Sequence, residues 1–537
     1  MAKAVIEPSW LDRVIASVAP ATATQRLRSR AVWSLTTGQG GYHGGRRDRR
    51  PTRGWRPPPE SANAAILPDL PDLRARSRDL ERNVPIATGA VATSVTAIVG
   101  DGVRVYPACD HEFLGLSRED GRDWNRAALR EFMLAAATVD WTRVQSFDEL
   151  QALALGATLS SGDCLVVRRY RSDPGDVYGL KLQLIEADRV SNPGFTADSE
   201  TMAGGVEHDD TGVPEAFHVS AHHPGALSGA GRGPWVRVPV RDAAGEVQVL
   251  HLLQRLRPDQ ARGVPYLAPV IDMVKQLGDY TDAEVRAAVI AAFLALFVTR
   301  SDADSDVKSP IVGTEDSADG VGDTAKEIGL PEGGAMVDLL PGESIQSPIP
   351  GRPNEKFDPF VQSLLRQIGV ALELPYELLI KHFAASYSAS RAALELAYQT
   401  FRRRRQWLVR RFNQPVYEWV IDEAVARGRL AAPGYFSDPA IRAAYVHADW
   451  IGQPRFSIDP LKDANADRID IETGVKTRQQ VCVERTGGDY DSKHGELADE
   501  ERRRREDGLG TGGSAIADDT DDADPAEDPD EEEDDET

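Results

Sequence analysis

Six arginines, Arg402, Arg403, Arg404, Arg405, Arg410 and Arg411, fall within ten residues of one helical stretch, a density of positive charge suited to phosphates or acidic side chains. Successive helical positions turn by about 100°, so the first four spread around most of the helix and cannot all face one duplex. DNA contact, ion pairs between subunits and solvated faces stay open as readings of this set. His218, His222 and His223 are close enough in sequence to converge on a metal. They stand where a strand runs into a Pro-Gly loop, without the acid of an H-E-x-x-H helix, and are expected to be surface histidines rather than ligands.

Other chemistry has weaker support. Gly38-Gln-Gly-Gly-Tyr-His-Gly-Gly45 matches a phosphate loop in composition alone, because no strand precedes it and Arg-Pro text follows in place of a helix. Gly474-Val-Lys-Thr477 lacks the glycine-rich loop of a Walker motif, and there is no G-x-S-x-G elbow. Cys109, Cys164 and Cys482 are far apart and form neither a zinc ribbon nor a disulfide framework. The expectation is a protein without catalysis, cofactor or metal.

The 537 residues, 41% hydrophobic, are enough for two or three domains. A net charge of −23 argues against a surface that grips phosphates everywhere. Fourteen acids and no bases occupy residues 518–536, so much of that excess is local. Residues 24–59 carry nine arginines among glycines and prolines, which reads as a flexible basic arm over 1–59. The start has no apolar signal core, and the longest uncharged apolar run has 12 residues, from Ala287 to Val298. Spanning a bilayer takes about 20, so neither secretion nor a membrane anchor is expected.

The elements that must position these residues follow from periodicity. Helical spacing from Leu70 and again over 86–99 predicts two packed helices. Strands are predicted at 163–170, 180–185, 216–220, 235–240 and 247–252, in an antiparallel sheet with one solvated face. A helix is expected over 270–300, apolar on nearly every side in its second half, followed by an acidic excursion. Another starts near Phe357, with Asp358 as N-cap ahead of Pro359. A long helix capped by Ser388 or Ser390 carries the arginines, and Pro415 should kink or end it. Beyond residue 506 the composition predicts disorder.

Read together, Ala75-Arg-Ser-Arg-Asp-Leu-Glu-Arg-Asn, Leu184-Ile-Glu-Ala-Asp-Arg-Val, Arg262-Gly-Val-Pro-Tyr-Leu-Ala-Pro, Leu340-Pro-Gly-Glu, Arg352-Pro-Asn, Leu374-Pro-Tyr-Glu-Leu-Leu, Ala385-Ser-Tyr-Ser-Ala-Ser-Arg-Ala and Ile458-Asp-Pro-Leu-Lys form an ordered series. On these residues the chain resembles the lambda family of tailed-phage portal proteins over about residues 70–500. The resemblance implies an α+β portal fold: an α/β wing, a two-helix stem, a clip insertion and a helical crown, in a ring-shaped homo-oligomer of about twelve subunits. It places the wing at 60–269, the first stem helix at 270–300, the clip at 301–354, the second stem helix at 355–376, a channel loop at 377–391, the long helix and crown at 392–505 and an acidic tail at 506–537.

It further implies a virion location at one capsid vertex, after assembly in the host cytoplasm, and a channel for double-stranded DNA in packaging and ejection. Implied partners are the terminase large subunit, head-tail adaptor proteins, and the major capsid and scaffold proteins. Lys381, His382, Phe383, Ala384, Ala385, Ser386, Tyr387 and Ser388 become channel-loop candidates, small and hydroxyl-bearing residues suited to weak contact with a sliding backbone. Phe383 and Tyr387 could equally anchor the loop on the next subunit. Asp302, Asp304, Asp306, Glu315 and Asp316 become docking candidates in the clip. The alternative role is a DNA-binding subunit of the packaging motor, which would need Walker loops or an acidic metal cluster.

Overall fold

A computed structural model of the chain describes residues 10, 15–17, 19–36, 50–227, 233–293, 297–300, 343–346, 357–383, 386–454, 459–486, 488 and 490–509. The chain forms two units, residues 1–65 and 66–537. In the first, α1 (Pro20–Thr36) is helical within the arm expected to lack structure. Pro20 sits at the first position, where a missing N–H costs nothing, and no glycine interrupts the run before Gly38.

The second unit opens with α2 (Leu70–Asn83), which buries Leu70, Arg74, Ser77 and Leu80 at helical spacing, and α3 (Pro85–Ile98), which buries Ala87, Ala90, Val91, Ser94, Ala97 and Ile98. Small residues let the two helices approach closely, as expected. After β1 (Arg104–Pro107) come α4 (Arg118–Ala136), capped by the Ser117 hydroxyl, and α5 (Phe147–Ser161), opened by a capping box in which Ser146 and Glu149 bond reciprocally.

The predicted strands form, but in two sheets rather than one. β2 (Asp163–Tyr170) lies between β3 (Leu180–Glu186) and β8 (Val249–Leu253); β4 (Met202–Ala203), β5 (Val206–His208), β6 (Pro214–Ser220) and β7 (Trp235–Pro239) make the second sheet, in that order. All pairings are antiparallel. β2 has no solvated face along its first half. Cys164 and Val166 enter the main core under the helices, whereas Leu165 and Val167 join Val206, Phe217, Val219 and Val238 in a second core.

The helix expected over 270–300 is shorter: α6 spans Ile271–Phe293, and β9 (Phe297–Arg300) pairs antiparallel with β10 (Glu343–Gln346). Phe297, Val298 and Thr299 favour extended backbone once a partner strand is available. Ile271, Val274 and Leu277 are buried, but no residue from Thr281 to Val289 is, and Val285 and Val289 are at least half exposed. α7 (Phe357–Leu372) packs beside α6 through Tyr280, whose ring stacks on Phe357 and meets Phe360 edge-on. This helix begins at Phe357, ahead of the expected cap Asp358.

After α7 come α8 (Tyr376–Ile380), α9 (Tyr387–Leu408), a π-helical turn over Val409–Asn413, α10 (Gln414–Ala426) and α11 (Pro439–Tyr445). Pro415 stands in the first turn of α10, so the break it was expected to cause takes the form of the π turn. β11 (Ala448–Ile451) returns to pair with β1, Arg104 opposite Ile451. The main core therefore draws on residues 80–277 and 365–446 together. α12 (Pro460–Glu472), α13 (Arg478–Thr486) and α14 (Tyr490–Glu506) follow. Among the described residues, no helix is long and apolar enough to cross a membrane.

Candidate nucleic-acid interface

The approach to the channel-loop candidates is tightly held. α7 ends where Glu373 takes a positive φ, and Gly369 is required because a Cβ there would lie 2.6 Å from the Leu374 carbonyl oxygen. The Tyr266 hydroxyl donates to the Leu372 carbonyl, fixing the same turn from the Arg262-Gly-Val-Pro-Tyr segment. Pro375 then opens α8, which buries Leu379 and ends with Lys381 in the left-handed region. The His382 N–H donates to the Glu377 carbonyl at 3.1 Å.

Residues 376–380 and 387–391 are helical, so Lys381, His382, Phe383 and Ser386 are the described residues of the expected 377–391 loop that lie outside helix. Lys381, His382, Phe383, Ser386 and Ser388 are exposed, Phe383 by 47%. Ser386 and Ser388 bring their hydroxyls within 3.3 Å of each other. Ser386, rather than Ser388 or Ser390, is the N-cap residue of α9, and Tyr387 is the first helical residue. Ala384 and Ala385 lie outside the described residues, as do the clip candidates Asp302, Asp304, Asp306, Glu315 and Asp316.

The six arginines do not act as one set. Arg402, Arg403, Arg410 and Arg411 are exposed, whereas Arg404 and Arg405 are buried. Arg405 Nε and Nη2 donate to the carbonyls of Ile98 and Ala97, both at 2.8 Å, and Nη1 donates to Gln453 at 3.1 Å. Those first two carbonyls end α3, where helical partners run out and positive charge is favoured, so Arg405 is a tertiary C-cap. Burial pulls its pKa below the ordinary value. Arg404 lies 4.5 Å from the centre of the Tyr266 ring and 3.4 Å from Glu373.

Of the six arginines kept as possible DNA or intersubunit contacts, Arg404 and Arg405 are both engaged inside their own subunit. Arg403 binds Glu373 through both carboxylate oxygens, at 2.6 and 2.9 Å. Burial alone would raise the Glu373 pKa, but the hydrogen bond and charge of Arg403, helped by Arg404, hold it below the ordinary value. The sequence reading singles out neither Glu373 nor Tyr266; their signal is the matched Arg262-Gly-Val-Pro-Tyr and Leu374-Pro-Tyr fragments that flank them.

A second network also escapes residue-by-residue reading. Asp163, 1% exposed, accepts from Arg74 at 3.0 Å, from Arg262 at 2.7 and 2.9 Å, and from the Gly263 N–H at 2.9 Å. His251 Nε2 lies 3.3 Å away. Burial opposes its ionisation, yet the charges of Arg262 and Arg74 hold the carboxyl well below the usual carboxylate range. Burial and the nearby Arg262 push Arg74 down to about 10.

The three histidines do not converge. His218 meets Glu207 at 2.9 Å, and Arg237 with His218 lowers that carboxyl to about 2. His223 lies 3.6 Å from Glu186 and 4.0 Å from Asp188. Glu186, Asp188 and His223 could together face one ion, but Arg78 already donates to both acids, at 2.6 and 2.9 Å, which makes the group an ion-pair cluster. His222 lends only its carbonyl, to the Ser220 hydroxyl.

Comparison with known proteins supplies the identity that this geometry alone does not. The family model described as phage portal protein, lambda family, matches residues 48–405. Portal protein B of Escherichia phage lambda is 28% identical over 488 residues, which are 87% of this chain and 91% of that protein. The portal protein of Escherichia phage N15 is 28% identical over 492 residues, with the same coverage. Among solved structures, a chain from the neck of an empty gene transfer agent particle computed with C6 symmetry aligns with a TM-score of 0.40 and 14% identity, covering 76% of this chain and 92% of that one. A chain from the virion of a native gene transfer agent particle aligns with a TM-score of 0.40 and 14% identity, over 77% and 92%. With a family model matching well over half of its length, the chain belongs to the lambda family of phage portal proteins.

Proposed function

We propose that this portal protein acts as a closed ring of about twelve subunits at one capsid vertex, through which double-stranded DNA enters during packaging and leaves during ejection. The observation that carries the ring is the second half of α6. Val285 and Val289 are exposed on α6 and Phe360 and Val370 on α7, apolar side chains that the described residues of one subunit leave uncovered. A head-to-tail contact that closes covers such surface in every copy without leaving exposed ends. In this reading α6 and α7 are the stem, and residues 381–388 face the channel with Arg402, Arg410 and Arg411 as the remaining candidate cationic contacts of the arginine helix.

The acids Asp302, Asp304, Asp306, Glu315 and Asp316 are proposed to dock basic surfaces of the terminase large subunit and of head-tail adaptors. The major capsid and scaffold proteins complete the proposed partners, and the virion is the proposed location. Electron microscopy of the purified protein tests the central claim. Annular particles with a central hole are expected, and a well-folded solitary subunit at every concentration would overturn it. Deleting residues 303–323 should impair packaging or tail joining; unchanged yields of both would reject the docking role.

A further inference from the structure

Arg403 is paired in a way that lets it change partners. Its guanidinium holds Glu373 through both carboxylate oxygens, at 2.6 and 2.9 Å, yet the two side chains are 67% and 43% exposed. An ion pair so open to water is weakly held, because solvent competes for both charges. A phosphate presents the same guanidinium with oxygens it can bind in the same two-pronged way. Around Arg403 the surface is cationic: Gln399, Arg402 and Gln406 are exposed at helical spacing, Arg410 is exposed in the π turn that continues α9, and residues 399–410 include no acid. The carboxylate that meets this strip comes from another element, the left-handed residue that follows α7. Other contacts hold that turn in place. The Tyr266 hydroxyl donates to the Leu372 carbonyl, the Leu374 N–H donates to the Gly369 carbonyl at 2.9 Å, and the buried Arg404 lies 3.4 Å from Glu373. Arg403 can therefore leave Glu373 while the turn keeps its form.

We propose that Glu373 is an internal counter-anion standing where a DNA phosphate binds, and that Arg403 exchanges between the two, joining Arg402 and Arg410 in a strip along the DNA backbone. The inference deepens the conduit reading and rests on it. An arginine that gives up a carboxylate to gain a phosphate keeps charge-assisted hydrogen bonds in both states, so the exchange adds little net affinity. A bare arginine would instead bind the phosphate outright and release its counterion in full. Glu373 thus tempers the grip of the strip, which suits a polymer that has to slide past it.

The test is the affinity of the full chain for a short fluorescent DNA duplex, read by anisotropy over a series of salt concentrations. Glu373→Gln frees Arg403 and should tighten binding about fivefold, whereas Arg403→Gln should weaken it about twofold in the parent and about tenfold in the Glu373→Gln background. Once Arg403 is gone, Glu373→Gln should therefore change nothing. Freeing Arg403 should also steepen the slope of log affinity against log salt by about one. Both substitutions lie at exposed positions. Glu373→Gly, which keeps the left-handed backbone without a carboxylate, carries the same expectation and guards against misfolding. Equal tightening by Glu373→Gln with and without Arg403 would reduce Glu373 to simple repulsion and overturn the exchange, leaving the conduit reading in place. Duplex binding indifferent to both substitutions would do the same. Binding of polyglutamate but of no duplex, by the parent and by Glu373→Gln alike, would assign the strip to an acidic protein and overturn the proposal.

Discussion

Replacing Arg405 with alanine separates an arginine that builds the subunit from those of the cluster that remain exposed. Its guanidinium makes three hydrogen bonds to carbonyls, of Ile98, Ala97 and Gln453, across more than three hundred residues of sequence for the first two. Gly452 lies against it so closely that a Cβ there would come within 2.4 Å of Arg405 Nε. Loss of the side chain strands the last carbonyls of α3 in a buried setting, at about 1–3 kcal/mol for each unsatisfied group. Allowing for relaxation and water entry, a total loss of about 3–5 kcal/mol is expected, a large part of the stability of an ordinary domain.

Urea unfolding of the dispersed subunit, followed by tryptophan fluorescence, measures it. Arg402→Ala and Arg410→Ala, at exposed positions of the same arginine cluster, should stay within about 0.5 kcal/mol of the parent. If Arg405→Ala costs less than about 1 kcal/mol, or if all three variants shift alike, the division of the cluster into capping and surface arginines is wrong.

Asp163→Asn should cost about 3–5 kcal/mol in the same assay, since it leaves Arg74 and Arg262 buried without their anion. The Asp163 pKa is depressed in the native state, so its stabilisation is present above about pH 3.9 and is lost as pH falls through the native value. His251 is lowered by burial despite Asp163 beside it, so the unfolded chain binds its proton more readily; stability should fall as pH drops below about 6.5, and His251→Gln should flatten that part of the curve. Gly263→Ala should prevent accumulation of folded protein, because its Cβ would lie 1.9 Å from the Gly162 carbonyl oxygen; normal expression with an unchanged melting temperature would refute the close approach. Tyr266→Phe should cost about 1 kcal/mol through loss of the bond to Leu372, read as a lower urea midpoint.

Much of this fold is legible in sequence where local pattern and tertiary partner agree. β2 coincides with its predicted range, and β3, β6, β7 and β8 lie within a few residues of theirs. The division into two sheets is hidden because alternation shows that a strand has two faces and not what covers the second; Leu165 and Val167 are apolar for one core as Cys164 and Val166 are for the other. β4 and β5, two and three residues long, fall below the length at which alternation carries information. The helix over-read past Phe293 has the same origin, an apolar run that period alone cannot assign to helix or strand. At the candidate interface, composition identifies the arginine cluster, but only the position of the α3 terminus decides that Arg405 turns inward.

The placement of buried charge bears on how such a subunit could work in a ring. Arg74, Asp163 and Arg262 tie α2 to the start of β2 and to the chain entering α6, while Arg404, Arg405 and Tyr266 tie α9 to α3 and to the end of α7. Removing one partner from such a contact leaves an uncompensated group, so both sets penalise slippage between elements distant in sequence. α8 and α9 are thereby referenced to one core, and the exposed Lys381, His382, Phe383 and Ser386 between them can meet a polymer without the framework behind them shifting. The second half of α6 has the opposite character, with no buried residue from 281 to 289. In the proposed ring, the apolar side chains exposed on that half of α6 are the ones neighbouring subunits cover, so the energy of association is expected to concentrate there.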